Sequence, residues 1–362
     1  MVKVGMLKAF EGDFIWLSYG EEKAESHILI DGGTAECGEK YADIVNYIAS
    51  RKEKIEAIIL THIDCDHIGG ACAGISKVTP EILQGTIKRI FFNTCCDGIN
   101  EIRVAASQGG YGVGEAVTLL ELFKQKGLKE RLIERSIAGD CVELDGGAQL
   151  KFISPGEREL DTLEEKWESY LKKNEPIAYL SNLDQVNTNL DEMMKIKMRS
   201  DSSVNNAASL AFIFEYLDVK GAFLGDAKPS VCLKGLKTLM ITEPYNIDFL
   251  KLSHHGSMGN TNSVLLRKFN TKNYLLSTNG NQRKTPQKAV VSQLLKNCIN
   301  MNKDHISLFC NYDWWETTFS NQFFTKYDNI KYIDTGKLRL CVLETEPLNI
   351  RDGLVFYGKG RF

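Results

Sequence analysis

The sequence predicts an α/β protein made of two halves, each a sheet with helices, facing one another. Three observations predict it. Short apolar runs rich in Val, Ile and Phe alternate with stretches whose apolar residues recur at helical spacing. Several of these runs end on Asp or His close to Gly, as a strand does when it opens into a loop or helix. From about residue 208 the second half repeats the order of elements of the first, without a residue-level repeat.

Taken in order, VKVGML, FIWLSYG and SHILIDGG read as strands broken by turns, with Asp31 at a strand end. Residues 39 to 53 carry a helical pattern, and AIILTH (57 to 62) is a β-branched run suited to a buried parallel strand. IGGACAGISK then turns into a helix, and KRIFFN (88 to 93) is the next strand. From about 95 to 200 the pattern loosens: helices at 113 to 126 and 158 to 174, a strand LKFIS (150 to 154), and the charged stretch DEMMKIKMRS. This region reads as an insertion, a solvated decoration in preference to a lid or substrate platform. Alternation resumes with ASLAFIFEY (208 to 216), GAFLGD (221 to 226), a helix at 229 to 238 and the strand IDFLKLS (247 to 253). A helix at 263 to 269, the strand NYLLSTNG (273 to 280) and a helix at 286 to 298 follow. LRLCVLE reads as a closing strand, which sets one domain over 1 to 345 and a C-terminal tail over 346 to 362.

Bulk properties narrow the function. At 43% hydrophobic and 25% charged residues, the chain can build a sizeable core and has no segment forced into disorder. The first residues lack a leader-like apolar core, and no uncharged apolar run is long enough to span a bilayer, so a cytoplasmic protein without membrane contact is expected. The 10 cysteines form no Cys-x-x-Cys pair and read as reduced, mostly buried thiols, Cys95-Cys96 included. A formal net charge of -3 neither demands nor excludes a nucleic-acid partner. Basic stretches such as KQKGLKERLIER read as solvated helix faces, and Trp314-Trp315 as packing.

Chemistry concentrates in the histidines. Of 6 in the chain, at 27, 62, 67, 254, 255 and 305, four fall in two short motifs at strand ends. In THIDCDHIGG, the residues His62, Asp64, Asp66 and His67 crowd too closely for one helix face, but a loop leaving a strand can splay them toward two adjacent cations. Gly69-Gly70 is expected to let the backbone turn tightly into the helix. GAFLGDAK places Asp226 after an apolar strand, and KLSHHGS does the same for His254 and His255.

The first motif resembles the His-x-His-x-Asp-His signature of the metallo-β-lactamase superfamily, with Asp64 in place of the second histidine. The variant is similar to that of the ComEC/Rec2-type DNA-uptake proteins and their stand-alone soluble relatives. Asn206-x-x-Ser209-Leu210, Asp226 and His254-His255-Gly256 resemble further motifs of that branch in the same order. The resemblance implies a four-layer αββα sandwich with a helical insertion, and a hydrolase using metal-activated water. It implies one metal near His62, Asp64 and Asp226, and another near Asp66, His67, Asp226 and His255, with Asp226 shared. Asp66, Asp64 and His254 are then the catalytic candidates, His254 facing the substrate. Asn206, Ser209 and Asn279 are candidate supports. Which histidine of the pair is the ligand stays open, because neighbouring residues of a strand point to opposite sides while a bend re-aims either.

Two departures matter. Losing imidazoles at the first position shifts preference from Zn toward Mn or Mg and leaves one or two ions possible. Where relatives carry Gly-His-Pro, this chain has Lys284-Thr285-Pro286, with Arg283 or Lys284 as the candidate replacement. A phosphodiesterase or nuclease acting on nucleic acid or nucleotides leads, since oxygen-rich two-metal sites suit displacement at phosphorus. The alternatives are a hydrolase of small esters, lactams or thioesters, and a non-catalytic metal-binding interaction module.

Overall fold

A computed structural model describes residues 1–22, 24–94, 113–172, 188–280, 285–317, 323–343 and 354–356. The apolar runs of the first third pair into one sheet. Its strands are β1 (Val2–Met6), β2 (Ile15–Glu21), β3 (Ala24–Ile30), β4 (Lys54–Leu60), β5 (Ile90–Phe92) and β6 (Leu132–Ile133). The first three are antiparallel and hairpin-connected. From β3 onward the strands are parallel, because helix Gly38–Ser50, and then Cys65–Lys77 with Pro80–Thr86, carry the chain back between them.

The second sheet begins with β7 (Cys141–Glu143), β8 (Gln149–Ser154), β9 (Ala211–Tyr216) and β10 (Val219–Phe223). A two-stranded parallel ribbon of β11 (Tyr245–Asn246) and β13 (Phe269–Asn270) lies apart. The sheet continues through β12 (Phe249–Lys251), β14 (Asn273–Leu276), β15 (Ile306–Cys310) and β16 (Leu338–Val342), all parallel to β10. Its order is β16-β15-β14-β12-β10-β9-β8-β7.

Alternation along each strand decides the layers. In β4, Ile55, Ile58 and Leu60 face a cluster with Tyr41, Ile44 and Ile75 of the flanking helices. Ala57 and Ile59 face the opposite way, into a cluster holding Phe212, Phe223, Phe249 and Leu275 of the other sheet. Those second-sheet strands in turn send Ala222, Leu250 and Leu276 outward onto Leu236, Leu294 and Leu295 of their own helices. Three buried clusters between four layers make this the αββα sandwich that the resemblance implies. Ring contacts run across the middle layer, with centroids of Phe152 and Phe212 5.9 Å apart, Phe212 and Phe223 5.2 Å, and Phe223 and Phe249 5.5 Å. Each such pair adds about 0.5–1.5 kcal/mol beyond area burial.

Two stretches differ from the sequence reading. Within 95 to 200, β6 extends the first sheet and the β7-β8 hairpin edges the second, while Leu119, Leu120 and Phe123 of helix Val113–Gln125 join the first helical core. From the expected tail, β17 (Leu354–Phe356) pairs with β1 at the sheet edge. Strands of two or three residues carry no readable period, which is why they escaped notice. Trp314 is fully buried against Phe323, as packing predicts. Among the described residues no helix is long and apolar enough to cross a membrane.

Candidate metal centre

The loops that follow β4, β10, β12 and β14 all leave carboxyl ends of parallel strands, the edge where open α/β sheets gather ligands. After β4, Asp64 takes the N-cap position of helix Cys65–Lys77, so Asp66 and His67 sit in its first turn. His67 is held by its far nitrogen: Nδ1 lies 2.7 Å from Asp31 Oδ2. Asp31, with φ of 55°, also accepts from the Thr61 N–H at 2.7 Å and the Thr61 hydroxyl at 2.8 Å. Three donors fix the carboxylate and hence the ring, leaving Nε2 to face the centre.

Gly69 and Gly70 do not make the tight turn that was expected. They are inside the helix, and their role is close approach: a Cβ on Gly70 would stand 1.9 Å from the Gly32 carbonyl oxygen. The helix thereby presses onto the loop carrying Asp31, and the Gly70 N–H donates to Gly33 O at 2.9 Å.

The second sheet delivers the rest. Asp226 follows β10 in a turn where Ser209 Oγ accepts its N–H at 3.1 Å. His254 and His255 both have left-handed backbone, with φ of 48° and 52°. Two such non-glycine residues in succession cost about 1–3 kcal/mol each and persist where the surroundings enforce them. The bend turns both rings toward Asp226, where strand alternation would send only one.

Two sets of ligand atoms result. Asp226 Oδ2 lies 3.6 Å from His62 Nε2 and 3.6 Å from His254 Nε2, and His62 Nε2 is 3.6 Å from Asp64 Oδ2. Asp226 Oδ1 lies 3.5 Å from His67 Nε2 and 3.8 Å from His255 Nε2, while Asp66 Oδ2 is 3.8 Å and 3.7 Å from those same nitrogens. The two imidazole nitrogens are 3.2 Å apart. Ligands about 2.1 Å from one cation in a tetrahedral array stand about 3.4 Å from one another. Asp66, His67 and His255 lie close to that spacing, His62, His67 and Asp226 form a second such group, and the two oxygens of Asp226 face both. His254, placed by the resemblance toward the substrate, thus also reaches the first set, where Asp64 has replaced an imidazole.

Electrostatics test whether a cation fits. His62 Nε2 and both carboxylate oxygens of Asp226 are buried and make no hydrogen bond among the described residues. Burial pulls the His62 imidazolium down, yet Asp226 and Asp64 outweigh it and push the group up to about 10. Burial would raise Asp226, but the surrounding histidines hold it below the usual carboxylate range. Burial drives His67 the other way, well below an ordinary histidine. Five carboxylates, those of Asp13, Asp31, Asp64, Asp66 and Asp226, gather around one ammonium, Lys251. Lys251 meets one of them and burial raises Asp31 well above the usual carboxylate range, which leaves an acidic, imidazole-lined centre of the kind that holds a divalent cation.

Around the two sets lie the candidate supports Asn206 and Asn279, with Asn205 and Asn260, which the motifs did not single out. Asn205, not Asn206, reaches Asp64, donating to Oδ1 at 2.6 Å. Asn206 donates to Asp201 Oδ2 at 2.7 Å and lies 3.2 Å from His254 Nδ1, while its own Oδ1 is buried and makes no hydrogen bond among the described residues. Asn260 Oδ1 accepts from His254 Nδ1 at 2.9 Å, and its amide donates to Asp201 Oδ2 and the Asp226 carbonyl. Asn279 sits after β14 with its N–H on Phe10 O at 3.0 Å, and nearby Ser277 O accepts from His255 Nδ1 at 2.9 Å. Cys95, Cys96, Arg283 and Lys284 lie outside the described residues.

Comparison with known proteins bears on this site. Residues 21–73 match the family model described as the metallo-beta-lactamase superfamily. Over 101 residues the chain is 33% identical to a hydroxyacylglutathione hydrolase of Psychromonas ingrahamii, covering 28% of this chain and 36% of that protein. The match thus spans only about a third of the relative's length. Among solved structures, a diphosphatase from the PhnP family is 11% identical, with 94% of this chain and 93% of that one covered and a TM-score of 0.39. The metallo-beta-lactamase fold protein YhfI from Bacillus subtilis is 9% identical, with 94% and 95% covered and a TM-score of 0.35. The matched segment contains Asp31, the loop from His62 to His67 and most of the following helix, and with the αββα sandwich it supports placing the chain in the metallo-β-lactamase superfamily.

Proposed function

We propose that this chain is a metal-dependent hydrolase of phosphodiesters, a phosphodiesterase or nuclease acting on nucleic acid or nucleotides. One observation carries the reading: a buried carboxylate, Asp226, shared between two sets of imidazole and carboxylate ligands at coordination spacing. His62, Asp64 and Asp226 would hold one divalent ion, and Asp66, His67, His255 and Asp226 the other, with His254 beside the first. Bound there, such ions supply water of pKa near 7 and electrophilic stabilisation of a phosphoryl oxygen. The carboxylates at both positions favour Mn or Mg, with Zn as the alternative.

The protein's own part is orientation and proton transfer. Asp31 and Thr61 fix His67, Ser277 fixes His255, and Asn260 with Asn206 fixes His254, so every Nε2 is aimed before a substrate arrives. His254, whose side chain is 21% exposed, is the site histidine open to the cleft and is assigned to deliver the proton to the leaving oxygen. The loop sequence from His62 to Gly70 supports a ComEC/Rec2-like branch. Free thiols at all 8 described cysteines support a reducing, cytoplasmic setting.

A second reading has its own observation. The relative in Psychromonas ingrahamii is named as a hydroxyacylglutathione hydrolase, which favours a thioester substrate. Purified protein, stripped and reloaded with Mn, Mg or Zn, is assayed on bis(p-nitrophenyl) phosphate, single-stranded DNA and a glutathione thioester. Chelator-sensitive cleavage of the diesters supports the first reading. Thioester hydrolysis alone transfers the assignment to the second, and inactivity on all three with metal bound leaves the interaction module.

A further inference from the structure

We propose that Lys251 and Asp13 form a positioning pair for the second metal centre, holding His255 from behind and occupying with an ammonium a place that a stray cation would otherwise take. The proposal rests on the metal-site reading above. Lys251 is the last residue of β12, and its side chain is 1% exposed. A lysine so buried is costly unless a partner meets it. The partner, Asp13, is equally buried and lies on the loop between β1 and β2 of the opposite sheet. The Lys251 ammonium donates to Asp13 Oδ2, so the pair ties the two sheets where their half-sites meet.

Asp13 Oδ1, the other oxygen, is buried, makes no hydrogen bond among the described residues, and lies 3.5 Å from His255 Nδ1. That nitrogen donates to the Ser277 carbonyl at 2.9 Å. A carboxylate and a carbonyl behind Nδ1 both favour the tautomer that leaves Nε2 free for a cation. A pair serving only stability has no reason to be charged, because packed apolar residues of similar volume are often as stable or more so. Nor has it a reason to point at a ligand.

The ammonium has a second consequence. Asp13, Asp31 and His67 themselves bring oxygen and nitrogen atoms within 4.8 Å of one another, a third cluster of the kind that binds metal. It would draw His67 Nδ1 away from Asp31. With Lys251 on Asp13, this cluster already has a cation, and Asp31 and Asp13 remain supports for His67 and His255.

The test uses the full chain and Mn2+ as the probe. Calorimetric titration of wild type gives two binding steps, assigned to the centres with Asp64→Ala and Asp66→Ala. In the double variant Asp13→Asn/Lys251→Met neither charge is left buried alone. It should keep a cooperative melt and lose about 10- to 100-fold in affinity at the second centre, with the first unchanged. Lys251→Met alone, which leaves Asp13 without its ammonium, should bind one additional equivalent of Mn2+. Unchanged affinity at the second centre, or equal loss at both with the melt retained, overturns the proposal. If the double variant does not fold, Asp13→Glu keeps the charge while moving it by one methylene, and is read for the same selective loss. Absence of any Mn2+ binding by wild type sinks the metal-site reading itself, and so is distinguishable from failure of the pair.

Discussion

Replacing Asp226 by Asn removes half of a shared ligand without changing its size. The carboxylate offers Oδ2 to the set of His62 and His254, and Oδ1 to that of His67 and His255, at 3.5–3.8 Å from all four nitrogens. An amide has one acceptor oxygen, and its NH2 would face imidazole nitrogens that are themselves awaiting a cation. One centre therefore keeps an oxygen ligand and the other loses it. A ligand that binds only the folded state stabilises by RT ln(1 + [L]/Kd), about 2.7 kcal/mol at a hundredfold excess over Kd. With two sites, Mn2+ at such excess should stabilise wild type by about 5 kcal/mol, and Asp226→Asn by about half of that. At an unfolding entropy of about 2.1 cal/mol/K per residue, 1 kcal/mol is worth about 1.3 °C in a chain of 362 residues, so the difference in the metal-induced Tm shift is about 3–4 °C, within reach of a thermal melt. Titration calorimetry should give two equivalents for wild type and one for the variant, and turnover should fall by at least about 10²–10³-fold. Two equivalents bound with unaltered affinity, or wild-type turnover, would refute the shared-ligand geometry.

Asp66→Ala and His67→Ala should each abolish turnover while leaving far-UV circular dichroism and the metal-free melt close to wild type; a wild-type rate in either removes that residue from the machinery. Gly70→Ala should destabilise by about 1–3 kcal/mol or more, because its Cβ would meet the Gly32 carbonyl at 1.9 Å, whereas Gly85→Ala, with nothing within 4 Å, should be neutral or stabilising. Equal denaturation midpoints for the two would contradict the close approach of helix and loop. Glu53 is raised by burial but pulled lower still by His27 and Arg51, to about 2 from an ordinary 4.5. Its ionised form thus contributes about 2–3 kcal/mol that is complete above pH 4.5 and disappears as pH falls toward 2. Urea midpoints of wild type and Glu53→Gln should accordingly converge over that window, and parallel pH curves would show that Glu53 does not govern it.

How far these features can be read from the chain depends on how far apart in sequence the interacting groups lie. The loop from His62 to His67 announces itself because its four candidate ligands, two His and two Asp, fall within six residues, and Asp226 and the histidine pair because each ends an apolar strand run. The α/β class is legible from apolar runs such as β4, which is buried on both faces, between helices and the other sheet, and so reads as a continuous apolar stretch. What orients the site is less visible. Asp13 and Lys251 are 238 residues apart, and Asn205 meets Asp64 across 141. Nothing in either neighbourhood marks the partner.

Asp31 was visible as a strand end, but its bond to His67 depends on a left-handed backbone at Asp31 that no composition encodes. The histidine pair makes the same point. Strand alternation sends one ring in and one out, and only the consecutive left-handed residues before Gly256 bring both to Asp226. Ligand identity is therefore a local property of this sequence, whereas ligand aim is set by contacts between the two sheets. Substitutions at Asp13, Lys251, Asn260 or Asp31 should for that reason alter metal affinity without changing any residue that a motif search would name.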